Sequence, residues 1–257
     1  MSETAFLEER RDQIVRIVEE RGRISTKELS DLMETSVVTI RNDINELADR
    51  GLIVKTHGGA VSFSKVSNYE PSSAVKSMNK IKEKVRIAQK AIELILPGDV
   101  IILDAGSTTF EIAKLLQNRN DITVVTNDIQ IADFLSRNSS VELVVAGGTK
   151  AKGVFTLSGP VTMKFFENLH ADKLFLGCDG LDFDFGITNR LFDEAGIKIA
   201  MLGASDEVIA VVDSSKLGKK FFAKVCPVSR INKLIIDDMN EKDRVKATSQ
   251  GIDLILV

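Results

Sequence analysis

Hydroxyl groups and a glycine gather just past an apolar run near the middle of the chain. The stretch LDAGSTTFEIAKLL (103–116) presents Asp104, then Gly106, then Ser107, Thr108 and Thr109, then a helical pattern. A strand ending there, followed by a tight turn and a helix start, brings orphan backbone N–H groups, a helix dipole and hydroxyl donors to one point. That is chemistry for holding an anion such as a phosphate. VTND (125–128) repeats the design with Thr126 and Asn127, and Asn127 is placed to cap a helix at a strand end. AGGTK (146–150) makes a third junction, where Gly147 and Gly148 allow close approach. Any one of these could be only a helix cap. Three polar edges opening on one side of a sheet make a crevice.

Further polar groups could complete it. GCDGLD (177–182) offers Asp179 and Asp182 beyond an apolar run, and VDSSK (212–216) offers Asp213 and Lys216 at another. Glu194 and Lys198 are neighbours on one helix face. Carboxylates can bind sugar hydroxyls and lysine a phosphate. Plainer readings stand beside these: an ordinary surface ion pair for Glu194–Lys198, a helix cap for Asp213 with Ser214 and Ser215, and a solvated side chain for Lys216. The histidines, His57 and His170, and the cysteines, Cys178 and Cys226, have no metal-type spacing, so neither a metal nor another cofactor is implied.

Hydrophobic periodicity supplies the elements that must position these groups. Continuous aliphatic runs at 100–104, 122–126, 142–147, 173–179, 207–213, 233–237 and 253–257 read as strands with helices between many of them, and a helix is expected over 80–96. Strands of this kind alternating with helices imply a mostly parallel sheet covered on both faces. The segment 62–79 is serine-rich, carries Pro71 and has no period, so it reads as a linker.

Residues 1–61 follow another pattern. Ile14, Val15, Ile17 and Val18, with Phe6 and Leu7 nearby, mark a first helix closed by Gly22. RIST (23–26) is a short extended piece, with Thr26 placed to cap a second helix. Ser36 is placed to cap a third, which Gly51 stops, and 52–61 reads as a hairpin turning near Gly58–Gly59. Three helices and a hairpin suggest a winged helix-turn-helix. At about 100° per residue, Val37, Ile40, Ile44 and Leu47 share the packed face of the third helix, whereas Val38, Arg41, Asn42 and Asn45 point away. Thr39, Arg41 and Asn42 suit a major groove: arginine grips guanine, asparagine adenine, and the apolar Val38 can meet a thymine methyl. Lys55, Thr56 and His57 on the wing would meet phosphates or the minor groove. The alternative is a small helical dimerisation domain with a solvated polar face.

Composition bounds the possibilities. Of 257 residues, 44% are hydrophobic, which supports a core. No run of about 18 apolar residues suggests a membrane span. The charged start, MSETAFLEERRDQ, is unlike a secretory signal, and the cysteine usage fits a reducing cytoplasm. Residues 1–62 hold 9 basic and 12 acidic side chains, and the rest 25 of each. DNA contact must therefore come from local placement, not bulk charge.

The run from Arg10 to Val61, especially TIRNDINEL, the Arg50–Gly51 turn and HGGAV, resembles the DNA-binding head of the DeoR family of bacterial sugar-operon regulators. ILDAGSTTFEIA, TND, AGGT, DKLFLGCDG and VVDSSKLG extend the resemblance over nearly the whole chain, and it most resembles the branch regulating use of N-acetylgalactosamine or related amino sugars. The resemblance implies a repressor that binds operator DNA as a homo-oligomer, dimer or tetramer, and is released by a phosphorylated sugar. It also implies an α/β domain similar to ribose-5-phosphate isomerase and coenzyme A transferases. The isomerases carry Asp-Gly-Ala-Asp-Glu. Here DGLDF (179–183) keeps both aspartates but has Phe183 in place of the glutamate, and the glycine-rich run before the catalytic glutamate is missing, although Glu194 and Lys198 match its end. The expected effector site is Asp104, Gly106, Ser107, Thr108, Thr109, Thr126, Asn127, Gly147, Gly148, Asp179, Glu194, Lys198 and Lys216, without catalysis. A sugar-phosphate isomerase with an appended head, and a metabolite-binding scaffold that does not touch DNA, are the competing readings.

Overall fold

A computed structural model describes residues 3–50, 52–62, 73–150 and 153–257 of the chain. The expected helix stop at Gly51 and the bulk of the expected linker, 63–72, lie outside the described residues, as does the side chain of Phe6. The chain divides into two compact units, Met1–Val75 and Lys76–Val257.

The first unit contains α1 (Glu3–Arg21), β1 (Arg23–Ser25), α2 (Thr26–Leu32), α3 (Val37–Asp49), β2 (Val54–Thr56) and β3 (Gly59–Val61). The strands form an antiparallel sheet in the order β1-β3-β2. Gly22 closes α1 with φ +72°, and its N–H donates to the Val18 carbonyl at 2.9 Å. The cap of α2 is Ser25, not Thr26: Ser25 Oγ accepts the Glu28 N–H at 3.1 Å while the Glu28 carboxylate takes the Ser25 N–H at 2.9 Å. This reciprocal pair is encoded in the Ser-x-x-Glu spacing, which outranks a lone threonine. Ser36 caps α3 as expected, through the Thr39 N–H. Ile14, Val18, Leu29, Ile40, Ile44, Leu47 and Ile53 form the core. Val37 lies outside it, 39% exposed, because it opens the helix before the packed turns begin. The buried place on that face goes to Asp43, held by Arg10 at 2.7 Å and Arg11 at 3.0 Å.

The second unit receives the chain within α4 (Ser73–Met78), a helix in the segment expected to be an unstructured linker. Then follow α5 (Ile81–Ile92), β4 (Val100–Leu103), α6 (Ser107–Lys114), β5 (Thr123–Thr126), α7 (Ile129–Asn138), β6 (Glu142–Val145), β7 (Thr149–Lys150), β8 (Leu157–Ser158), α8 (Pro160–Glu167) and β9 (Ala171–Leu176). The remainder is β10 (Gly180–Asp182), β11 (Gly186–Asn189), α9 (Phe192–Gly203), β12 (Ser205–Val211), β13 (Ala223–Cys226), β14 (Lys233–Ile236), α10 (Glu241–Ser249) and β15 (Asp253–Leu256). Seven strands make one sheet in the order β15-β14-β12-β9-β4-β5-β6, every neighbouring pair parallel. These are the seven runs read as strands.

Alternate residues along the central strands feed opposite faces. Ile102, Leu174, Leu176, Val208 and Ala210 enter one core, and Ile101, Leu103, Phe175, Ile209 and Val211 the other. Burial on both faces is why these strands read as unbroken aliphatic runs. A small antiparallel sheet, β10-β11-β13, and the β7-β8 pair escaped the sequence reading. Their strands are two to four residues long, too short to carry a period.

Candidate functional site

The first unit sets a polar face on α3. Arg41 and Asn42 are exposed, and Val38 is 67% exposed. Ser36 and Thr39 join hydroxyl to hydroxyl at 2.8 Å at the start of the helix. Lys55 and His57 are exposed on the hairpin and Thr56 is half-buried. Asn45 departs from the expected face: it is half-buried, with a buried Oδ1. Arg50 is committed elsewhere, to Glu8 at 2.8 Å and Glu46 at 2.8 Å. Those pairs neutralise part of the acidic charge of this unit.

The larger unit has its crevice where the strand order reverses. From β4 the chain proceeds through β5 to β6 on one side, then returns to β9 on the other side of β4 and continues through β12. Connections leaving β4 and β9 in opposite directions open a gap at their carboxyl ends. Asp104 follows β4 and Gly177 follows β9. Asp104 Oδ2 accepts the Gly177 N–H at 3.0 Å and is ion-paired with Lys198 from α9, which also donates to the Gly177 carbonyl at 3.1 Å. Glu194, one turn earlier on α9, accepts Asn189 Nδ2 at 3.0 Å. Asp104, Ala105, Asn127, Thr156, Glu194, Ile197 and Lys198 line a narrow crevice, too tight as it stands to admit water. A neighbouring chamber of about 180 Å³ shares the walls Thr156 and Glu194 and adds Val154, Leu191 and Phe192.

Beside Asp104, α6 begins at Gly106, and no side chain caps it. Its first-turn N–H groups are therefore the orphan donors that attract anions. Ser107 is half-buried and Thr108 buried. Thr109 spends its hydroxyl on the Gly106 carbonyl at 2.8 Å. Thr126 Oγ1 donates to the Leu103 carbonyl at 2.8 Å and accepts the Asp128 N–H at 3.1 Å, so it knits β5 to β4. Asp128, not Asn127, caps α7, accepting the Gln130 N–H at 2.7 Å and the Ile131 N–H at 3.1 Å. Asn127 is left facing the crevice instead. Gly147 and Gly148 follow the edge strand β6 and line neither cavity.

Asp179 follows β9 and is buried. One carboxylate oxygen pairs with Lys76 at 3.0 Å and the other accepts the Arg190 N–H at 3.1 Å. Lys216 is half-buried in a short turn that Asp213 caps through the Ser215 N–H at 3.1 Å. Burial alone would raise the Asp179 pKa; Lys76, Lys216 and the Arg190 N–H more than reverse this and hold it well below the carboxylate range. Burial also works against the charge of Lys198, but Asp104 and Glu194 outweigh it and keep the ammonium above the usual lysine value. Burial pushes the Cys178 thiol up to about 12, so this cysteine stays protonated at neutral pH.

Asp104, Asn127, Glu194 and Lys198 thus come together from three expected elements, the ends of β4 and β5 and the helix α9. The surface-pair reading of Glu194–Lys198 does not hold, because both are buried and each is bonded to another partner. Thr156, Asn189, Ile197 and Lys76 were not anticipated. Asn189 had a usable signal, an asparagine at a strand end as in TND; Thr156 had none.

A family model described as DeoR-like helix-turn-helix domain matches residues 10–66, and one described as DeoR C terminal sensor domain matches 79–238. A relative in Escherichia coli O157:H7, named as a transcriptional repressor of the aga operon, is 35% identical over 97% of this chain and 93% of its own length. The glycerol-3-phosphate regulon repressor of Escherichia coli K12 is 31% identical over 89% of this chain and 90% of its own. Among solved structures, ribose 5-phosphate isomerase A of Methanocaldococcus jannaschii covers 55% of this chain and 56% of its own, at TM-score 0.42 and 20% identity.

Proposed function

This chain belongs to the DeoR family of transcriptional regulators, and on that footing we propose that it represses a sugar-utilisation operon and leaves its operator when a phosphorylated sugar or amino sugar binds. One observation carries the effector half of this reading. At the switch point of the sheet, an uncapped helix N-terminus adjoins a buried set of Asp104, Glu194 and Lys198. The first suits a phosphate; the carboxylates suit hydroxyls. Relatives named for the aga operon and for glycerol 3-phosphate point to the same ligand class.

In this reading residues 1–61 grip the major groove through Ser36, Val38, Thr39, Arg41 and Asn42, with Lys55, Thr56 and His57 on the flanking backbone. Residues 62–79 connect, and 80–257 sense the effector in a cytoplasmic homo-oligomer, a dimer or tetramer. We assign it no catalysis. Glu194 is held by Asn189 and Lys198 by Asp104, so neither is poised to move a proton between adjacent carbons. Lys76 sits where the chain enters the larger unit and pairs with Asp179 of the site. A ligand that takes Asp179 must displace it, which gives the effector a differential contact with the two states, the condition for any coupling.

The test is operator release. Full-length protein bound to its upstream DNA is titrated with inorganic phosphate and with hexose and hexosamine 6-phosphates. Release by one or more of the sugar phosphates, without turnover of it, is expected. Operator affinity indifferent to every phosphorylated sugar, or isomerisation lost in Glu194→Gln, would overturn the reading.

A further inference from the structure

Two amide oxygens in the larger unit lack a hydrogen-bond partner among the described residues: Asn127 Oδ1 and Asn189 Oδ1. Both side chains are almost wholly buried, 1% and 2% exposed. Their orientations are fixed by the other end of each amide. Asn127 Nδ2 donates to the Leu157 carbonyl at 3.0 Å, and Asn189 Nδ2 donates to Glu194 Oε2 at 3.0 Å. Flipping either amide would set oxygen against oxygen, so the oxygens are the free ends. A buried acceptor without a donor is costly, and native proteins rarely keep one without a use.

The places of these acceptors are specific. Asn127 lines the crevice itself, beside Asp104, Glu194 and Lys198. Asn189 holds Glu194, the wall shared by the crevice and the chamber beyond it. Lys198, the one cation lining the crevice, gives two of its three donors to Asp104 and the Gly177 carbonyl and reaches neither amide oxygen. The donor that Asn127 lacks must therefore arrive from outside. The phosphate dianion of a sugar phosphate offers only acceptors and cannot fill that role; sugar hydroxyls can.

Resting on the sugar-phosphate reading above, we propose that Asn127 is the specificity-determining acceptor of the site, which binds a hydroxyl donor on the carbon skeleton while the α6 N-terminus takes the phosphate, and that Asn189, which lines neither cavity, positions the Glu194 carboxylate beside it. Selectivity for a polyhydroxylated ligand over a bare anion then resides in Asn127 and in the carboxylate that Asn189 holds. Neither asparagine is a helix cap: the capping of α7 belongs to Asp128.

Binding of inorganic phosphate and of hexose and hexosamine 6-phosphates to full-length protein decides the matter, compared among wild type, Asn127→Ala and Asn189→Ala. The variants are expected to lose about tenfold or more in affinity for the best-bound sugar phosphate. Their affinity for inorganic phosphate should change less than threefold. A parallel fall for both ligands, or no fall for either, overturns the assignment. Deoxy analogues of the same sugar phosphate provide a second measurement on wild type alone, should a variant fail to fold. At least one deoxy position must weaken binding about tenfold; uniform tolerance of every deletion overturns it. Wild type that binds sugar phosphates no better than inorganic phosphate sinks the underlying reading as well, whereas a wild-type preference retained in both variants sinks this assignment alone.

Discussion

The exposed polar face of α3 in the small unit and the crevice of the large one are built on opposite plans. Arg41, Asn42 and Val38 stand in solvent on a single helix and depend on almost nothing else in the unit. Asp104, Asn127, Glu194 and Lys198 are buried, come from three separate elements and are tied to one another, to Asn189 or to neighbouring backbone. A surface that meets DNA can be altered without harm to the fold. A crevice that meets a small ligand is part of the fold, so stability and function change together there.

The strongest way to break that contrast is the double substitution Arg41→Ala with Asn42→Ala. Each bidentate base contact contributes about 1–3 kcal/mol of discrimination. Operator affinity and sequence preference should collapse while the unfolding midpoint stays put, because both side chains are exposed. Preserved operator binding in a footprinting titration would place the reading face elsewhere. The matching substitution in the crevice, Lys198→Met, should do the reverse. It leaves Asp104 buried without its counter-charge, and breaking a buried pair in this way costs roughly 3–5 kcal/mol. Denaturant unfolding reads this directly; a loss under 1 kcal/mol would mean that the pair is solvated in solution.

The same contrast governs what could be read from the sequence. The α3 face follows from helical spacing within six residues, and the expected exposure of Val38, Arg41 and Asn42 holds. The seven parallel strands were visible because burial on both faces makes them continuously aliphatic. Asp104 and Lys198 were expected in one site, but the ion pair between them was not visible, since 94 residues separate them and only the strand order brings them together. The plainer reading of Lys198 as half of a surface pair arose for that reason. Misplaced caps have a different origin. At Ser25 against Thr26, and at Asp128 against Asn127, two competent residues are adjacent, and a single φ/ψ choice selects between them.

A pH titration sharpens the comparison at the entrance of the large unit. Lys84 is buried on α5 and donates to the Lys76 carbonyl and, at 2.5 Å, to the Asn79 carbonyl. Burial lowers its pKa to about 8; Asp213 and Glu111 oppose this, while Lys216 and Lys76 add to it. Between that value and the ordinary 10.5, the folded state holds fewer protons than the unfolded one, so this group's contribution to stability rises with pH. The penalty is full below about pH 8 and is relieved by pH 10.5, an effect of order 3 kcal/mol. The difference in unfolding free energy between wild type and Lys84→Met should therefore shift in favour of wild type across that window. A flat difference would show that the two carbonyls hold the charged form without penalty. In the small unit, Asp43→Ala removes the buried partner of Arg10 and Arg11 and should cost about 1.5–3 kcal/mol of stability, because both arginines can turn to water.

Ser107→Ala is the mildest test and the most discriminating for the anion half of the site. Ser107 is half-buried at the first turn of α6, where no side chain acts as a cap, so its loss should move stability by no more than about 0.5 kcal/mol. Operator affinity without effector should be unchanged. The effector concentration for half-release should rise roughly two- to twelvefold, as the loss of one hydrogen bond of about 0.5–1.5 kcal/mol requires. Thr108→Ala at the neighbouring buried position separates hydroxyl donation from packing: a cost in stability without a change in release assigns Thr108 to the core. If release by the effector is unmoved in both variants, the first-turn N–H groups hold the phosphate unaided or the phosphate lies elsewhere. Ser107→Pro decides between them: proline is tolerated at the first helical position, removes the Ser107 N–H together with the hydroxyl, and should weaken release further than Ser107→Ala only if the backbone is the cradle.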